Sequence, residues 1–303
     1  MKLHYPHTGL AKICRLFGIT RQAYYQHLHQ NIDMNMEHEL IIKEVLIIRK
    51  HHPRIGTRKL YIMLEDFMFQ HHIKMGRDAL FDLLSVHRLL IRRRIRNIKT
   101  TQSHHWLKKY PNLIKGFVPV APNELYVSDI TYWKIHHGHV YISLITDAYS
   151  RKIVGFDVSE SLEATSSLRA LQMALSAFLE AKRHLQLIHH SDRGIQYCCT
   201  KYVKLLHDYN IQISMTENGN PLDNAIAERV NGILKEEYLD CYQVESIKEA
   251  KVLLAQVIKL YNEQRPHMSI GNLAPEKVHS RILKKGEKKW KNYYQKKETV
   301  NQF

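Results

Sequence analysis

The chain has 303 residues, room for more than one domain, and its 44% apolar content with a mean hydropathy of −0.38 excludes a mostly membrane-embedded protein. The most membrane-like run, "LIIKEVLII", is broken by Lys43 and Glu44; the N-terminus has no signal-like apolar core, and four cysteines without a CxxC argue against a disulfide framework or zinc knuckle, so the expected compartment is the cytoplasm. The net charge of +16 divides unevenly: +13 in residues 1–120, −4 in 121–240 and +7 in 241–303.

Residues 8–27, "TGLAKICRLFGITRQAYYQH", read as a helix, a turn at Gly18 and a second helix capped by Thr20, carrying Arg21 and Tyr24. This is helix-turn-helix grammar, although an ordinary helical hairpin has the same pattern. A polar linker is expected next, then a helix near 37–50 and two more in "TRKLYIMLEDF" and "GRDALFDLLSVHRL". The segment 88–109 carries eight Lys and Arg, among them Arg92, Arg93, Arg94 and Arg96, and no acid. It suits a phosphate backbone or a minor groove, or else forms a solvated tether.

From residue 121 the texture is β-rich. "ELYVSDITYWKI", "HVYISLITDAYS" and "KIVGFDVSES" predict three strands joined by short turns. A helix over 163–182, a strand in "LQLIHHSD", a helix in "TKYVKLLHDY" and a short strand in "IQISMT" follow. The stretch "NPLDNAIAERVNGILK" starts as a turn and continues as a helix, with Asp223 as a candidate cap. A further helix, 246–262, and a basic tail close the chain. This order predicts an α/β domain built on a mixed five-stranded sheet flanked by helices.

Candidate chemistry lies in the acidic middle, because carboxylates within a polyanion binder invite a cation between protein and phosphate. Asp129 sits in an apolar strand, where an unpaired charge is costly to bury, and Asp192 ends a strand, the favoured active-site position in α/β sheets. Glu228 lies on the polar line of the 225–235 helix with Asn224, Asn231 and Lys235, while Ile226, Val230 and Ile233 face the other way. Asp147 and Asp157 read as turn or strand-surface residues, and His189 and His190 as packing rather than ligating groups. Two strand aspartates and a helical glutamate suit a two-magnesium phosphoryl-transfer site.

Asp192 and Glu228 are separated by 35 residues, and Lys235 follows Glu228 by seven. With "YVSDITYW", "DAYSRKIVGF", "HHSDRGIQY", "SMTENGNPLDNAIAERVNGILKEE" and "YNEQRPH" in that order, the chain resembles the retroviral-integrase superfamily. It resembles the insertion-sequence-three transposases more closely, in their second-reading-frame part. "CRLFGITRQAYY" and "HPRIGTRKLYIML" are similar to that family's helix-turn-helix units. Tyr126 replaces a frequent tryptophan, and "RVNGILK" replaces a more aromatic helix.

The resemblance implies an RNase H-like core preceded by all-α helix-turn-helix units. Expected boundaries are 1–32 and 37–97 for two helical DNA-binding units, 98–120 for a basic linker, 121–240 for the catalytic core and 241–303 for a helical, basic C-terminal region. It implies Asp129, Asp192 and Glu228 as ligands of two Mg2+ ions, with Mn2+ as substitute, and Lys235 as a DNA contact. Asn224, Asn231, Arg21, Tyr24, Arg92, Arg93, Arg94 and Arg96 are further expected DNA contacts. The implied partners are double-stranded DNA at terminal inverted repeats and target, a second copy of the chain on paired ends, and an upstream frame's product. No membrane is implied; the setting is the bacterial cytoplasm, at the nucleoid. The implied activity is cleavage of element ends and strand transfer; the rivals are an RNase H-like nuclease without strand transfer and a non-enzymatic DNA-binding regulator.

Overall fold

A computed structural model of the chain describes residues 7–92, 106–180, 186–217 and 224–281. They fall into two compact units: one holds residues up to Lys50 together with Met63–Leu90, the other His51–Ile62 and the chain from Ile91 onward.

The first unit is helical. Helix α1 (Leu10–Leu16) ends at a turn in which Gly18 takes φ +67°, a left-handed conformation that costs glycine little. Thr20 Oγ1 then accepts from Ala23 N at 3.0 Å, capping α2 (Arg21–His51) as the sequence suggests. The expected polar linker is absent, because α2 runs unbroken for 31 residues. The reason is local: from Arg21 to His52 the chain has no Gly or Pro, so its polar residues only weaken a helix that nothing interrupts. Helices α3 (Thr57–Gln70) and α4 (Arg77–Val86) follow. Cys14, Ile41, Val45, Leu64, Met68, Leu80 and Leu84 form this unit's buried apolar set.

The second unit is an α/β/α layer structure. Strands β1 (Leu125–Ile135), β2 (Gly138–Asp147) and β3 (Ile153–Ser159) form an antiparallel meander. Strands β4 (Ile188–Ser191) and β5 (Gln212–Met215) add parallel to β1, giving the order β3-β2-β1-β4-β5 of an RNase H-like core. Helices α5 (Ala164–Glu180), α6 (Ile195–Cys198) and α7 (Thr200–Asp208) cover one face, where Tyr126, Ile145, Leu171, Tyr202 and Leu206 are buried together. Helices α8 (Ala225–Ile233) and α9 (Ile247–Glu263) cover the other, over Trp133, Ile135, Val140 and Ile142. Tyr126 and Trp133 lie on opposite faces because side chains alternate along β1. Helix α10 (Pro275–His279) ends the described chain.

One feature differs from the expected organisation, and one motif acquires a structural place. The described part of the basic linker is packed rather than free: Met215 N donates to Pro111 O at 3.2 Å, Leu113 N to Ser214 Oγ at 2.8 Å, and Leu107 and Tyr110 join the α5–α7 core. Residues 106–114 thereby cover the outer edge of β5. The motif "YNEQRPH" is an anchor: Tyr261 OH donates to Arg151 O, and the Asn262 amide exchanges two hydrogen bonds with the backbone of Ile153, tying α9 to β3.

Candidate active site

The sheet brings the two strand aspartates side by side. Strand β4 pairs with β1 only over Leu125–Val127, with Val127 opposite His190. Two residues further along each strand stand Asp129 and Asp192, at the carboxyl ends of neighbouring parallel strands, where α/β sheets bind ligands. Asp129 Oδ1 accepts from Ile130 N at 2.9 Å, and Asp192 Oδ1 accepts from Gly194 N at 2.9 Å. A Cβ on residue 194 would lie 2.9 Å from Asp192 Oδ1, so any larger residue there would press on that carboxylate.

Helix α8 supplies the third carboxylate. Its buried Ala227 packs with Leu125 and Val127, pinning the helix over the start of β1. Asn224 Nδ2 donates to Ser128 O at 2.9 Å, and Asn231 Nδ2 to Asp129 Oδ2 at 2.7 Å. Glu228, between these anchors, is exposed. The two asparagines are therefore not on an open DNA-facing line as expected: each is 4% exposed, because the narrow stripe they share lies against β1. Asn231 instead orients Asp129.

Among the described residues, no three His, Cys, Asp or Glu side chains converge tightly enough to hold a metal ion as they stand. The three acids are nonetheless within electrostatic reach. Burial, then the Asp192 charge, push Asp129 up to about 7, and Glu228 adds to this. Glu228 is raised by burial and then by Asp192. These are the marks of clustered carboxylates at a functional site.

Directly after α8 the helix widens into a π turn, Leu234–Tyr238. Such turns are uncommon and concentrate at functional sites. Glu237 in this turn takes a two-pronged ion pair from the fully buried Arg265 (2.8 and 2.7 Å) and a 3.2 Å contact from Lys59, while His52 Nδ1 lies 2.7 Å from Tyr238 OH. Lys235, in the same turn, lies with its ammonium 3.9 Å over the Tyr132 ring centroid on β1. The turn thus directs Lys235 toward the strand that carries Asp129.

Other expected residues have different places. Arg21 is exposed and Tyr24 half-buried near the start of α2; Arg92 is exposed, and its carbonyl accepts from Arg54. Arg93, Arg94, Arg96 and Asp223 lie outside the described residues, and Asn224 takes the N-cap position of α8. Asp147 is buried and accepts from Asn123 N and from Ser150 N and Oγ, while Asp157 pairs with Arg169 and Lys251; neither joins the site. His189, driven to about 3 by burial and then by His190, contacts Ser128 and Tyr202 in the core. The sequence reading missed Tyr197, a buried phenol in the cleft with Asp129 and Asp192. Its signal was the aromatic in "HHSDRGIQY".

An integrase core domain family matches residues 119–221, and a second integrase core model matches 209–275. A 31 kDa protein of insertion element IS600 from Shigella sonnei is 34% identical, over 88% of this chain and 98% of that one. The transposase for IS629 from Shigella sonnei is 27% identical, over 88% and 90%. The transposase InsF for IS3A from Escherichia coli K12 is 33% identical, over 59% and 62%. Among solved structures, the HTLV-2 integrase catalytic core in complex with magnesium aligns with a TM-score of 0.40 and 16% identity, over 52% of this chain and 97% of that one.

The sheet order, the integrase-core match and the transposase relatives define a DNA transposase of the integrase-like class. Within that class the chain belongs to the insertion-sequence-three transposase family.

Proposed function

We propose that Asp129, Asp192 and Glu228 form a metal-dependent strand-transfer site that cleaves the element's ends and joins them to new DNA. The observation that carries this is the neighbourhood itself: two aspartates fixed by backbone amides on adjacent strand ends, with a helical glutamate near enough to add to the raised proton affinity of Asp129. Such a donor set fits hard divalent cations, which take carboxylate oxygens and keep waters that substrate phosphate can replace. Two Mg2+ ions, or Mn2+ in their place, would neutralise these acids and stabilise the attacking and leaving oxygens of an in-line displacement.

The chain's own groups do the positioning. Gly194 N fixes the Asp192 carboxylate, and Asn231 fixes Asp129. The buried Tyr197 phenol, its proton affinity raised by burial, Tyr202 and the two aspartates, stays a neutral donor in the cleft. Lys235 meets a phosphate a few nucleotides from the reacting one. Two displacements follow: water attacks the phosphodiester at the element's end and releases a 3′-hydroxyl, whose oxygen then attacks a second phosphodiester and expels that strand's 3′-oxygen. The protein forms no covalent intermediate.

Around this core, the α1–α2 unit with Arg21 and Tyr24 reads terminal inverted repeats, and the basic stretch through Arg92, Arg93, Arg94 and Arg96 follows the backbone. Two or more copies act on paired ends, and an upstream frame's product joins the active form. The test is a labelled element-end duplex incubated with the full chain. Cleaved and joined products should form in Mg2+ or Mn2+ and vanish in EDTA; cleavage persisting in EDTA, or cleavage without any joining, contradicts the reading.

A further inference from the structure

Arg265 occupies both oxygens of the Glu237 carboxylate by itself, with Nε 2.8 Å from Oε2 and Nη2 2.7 Å from Oε1. Lys59 nevertheless brings a second cation to the same group, its Nζ 3.2 Å from Oε1. Two cations on one buried negative charge repel each other, and burial, then Arg265, drive the Lys59 ammonium down to about 8. A lysine whose proton affinity falls on folding lowers stability while it is charged, so stability does not account for Lys59.

Lys59 belongs to a short stretch that meets the π turn through backbone and side chains alike. Arg54 N donates to Glu237 O at 3.2 Å, satisfying a carbonyl near the helix end. His52 lies between two partners, with Nδ1 2.7 Å from Tyr238 OH and Nε2 3.2 Å from Gln264 Oε1. Ile55, Thr57 and Leu60 are buried and fix the stretch in place. In sequence, "HPRIGTRKLYIML" is similar to a helix-turn-helix unit. In the structure His52, the Arg54 amide and Lys59 all face the turn that carries Lys235.

A π turn, whose hydrogen bonds span one residue more than those of an α turn, is rare without outside support. If this one tightened to an α turn, its side chains would rotate relative to α8 by up to about 100°, the angle of one helical residue. The Lys235 ammonium would then leave the Tyr132 ring, over which it lies at 3.9 Å. We propose that Lys59, aided by His52 and the Arg54 amide, is a positioning residue for strand transfer: it holds the π turn in the form that keeps Lys235 beside the strand of Asp129. Residues 51–62 therefore serve the chemistry rather than read DNA. The inference rests on the reading of Asp129, Asp192 and Glu228 as the reacting site and of Lys235 as a phosphate contact.

The test measures single-turnover cleavage and joining of a labelled element end by the full chain in Mg2+, with end affinity across a salt series and thermal melts alongside. Lys59→Met should slow both steps at least about ten-fold. Its melting temperature should not fall, and its slope of log K against log salt should stay parental. Lys235→Ala should slow both steps too, and adding Lys59→Met should slow them no further, the double variant staying within about two-fold of Lys235→Ala. A residue that only stabilised the fold would instead give losses that multiply and a lower melting temperature. Parental rates in Lys59→Met, multiplied losses in the double variant, or a lowered melting temperature each overturn the proposal. So does a salt slope reduced by about 0.9 in Lys59→Met, which is the mark of a direct phosphate contact. The two readings fail separately. Cleavage surviving in Asp192→Asn removes the carboxylate site and with it the chemistry that Lys59 would serve. An inert Asp192→Asn beside a fully active Lys59→Met removes the positioning role alone.

Discussion

Replacing Glu237 with Gln tests how the π turn is held. Arg265 is fully buried and spends two hydrogen bonds on this one carboxylate, and Lys59 approaches it at 3.2 Å. Burial works to raise the Glu237 pKa, but Arg265 prevails and holds it at about 2 against an ordinary 4.5. That difference corresponds to about 3 kcal/mol of stability at neutral pH. Removing one partner of a buried pair costs about 3–5 kcal/mol, so the two routes agree. Lys59 is drawn down to about 8, by burial first and then Arg265, which marks Arg265 as the dominant partner.

The pH dependence follows from the sign. A carboxylate whose folded pKa lies below its unfolded one contributes fully above about 4.5 and loses that contribution as pH falls toward 2. Urea unfolding followed by circular dichroism should therefore put Glu237→Gln about 3 kcal/mol below the parent at pH 7. That gap should narrow by roughly 1 kcal/mol at pH 3.5. In thermal melts the pH 7 deficit is about 6–12 °C for a domain of this size. A gap under about 1 kcal/mol at pH 7, or one unchanged at pH 3.5, refutes the assignment of Glu237 as the charged anchor of the turn.

Three further outcomes follow from local geometry. Gly155→Ala puts a Cβ 2.1 Å from the Ala170 carbonyl of α5, so α5 must shift off β3; thermal unfolding should show a loss of about 1–3 kcal/mol, and parental stability contradicts the close packing. Gly194→Ala pushes on Asp192 and the end of Gln196 and meets the buried Tyr197 only at ordinary contact distance, so cleavage should fall at least about ten-fold with a nearly unchanged melting temperature; parental activity contradicts the role of this turn. Lys235→Ala should lower the slope of log K against log salt by about 0.9, the value of one phosphate contact; an unchanged slope removes Lys235 from the DNA surface.

Much of the catalytic unit is legible in the sequence because its signals are local. Alternation in "YVSDITYW" and "VYISLI" sets the meander, and the strand-end position of Asp192 with the spacing to Glu228 marks the acids. What escaped depends on contacts between distant residues. A helical wheel places Asn224, Glu228 and Asn231 on one stripe, but not which side of that stripe β1 covers; hence two asparagines expected at DNA are buried against Ser128 and Asp129. The π turn leaves the 3.6-residue pattern unmarked, and the ion pair on its Glu237 comes from Arg265, 28 residues further on. The unbroken α2 escaped for the opposite reason: a polar stretch resembles a linker unless the lack of any breaker is given greater weight.

The shared carboxylate site is tested most directly by Asp129→Asn, Asp192→Asn and Glu228→Gln, each assayed in Mg2+ on labelled element ends for binding, cleavage and joining. All three should bind ends nearly as the parent does while cleavage and joining both fall to background. Any one of them that joins ends at the parental rate contradicts a single site built from these three acids.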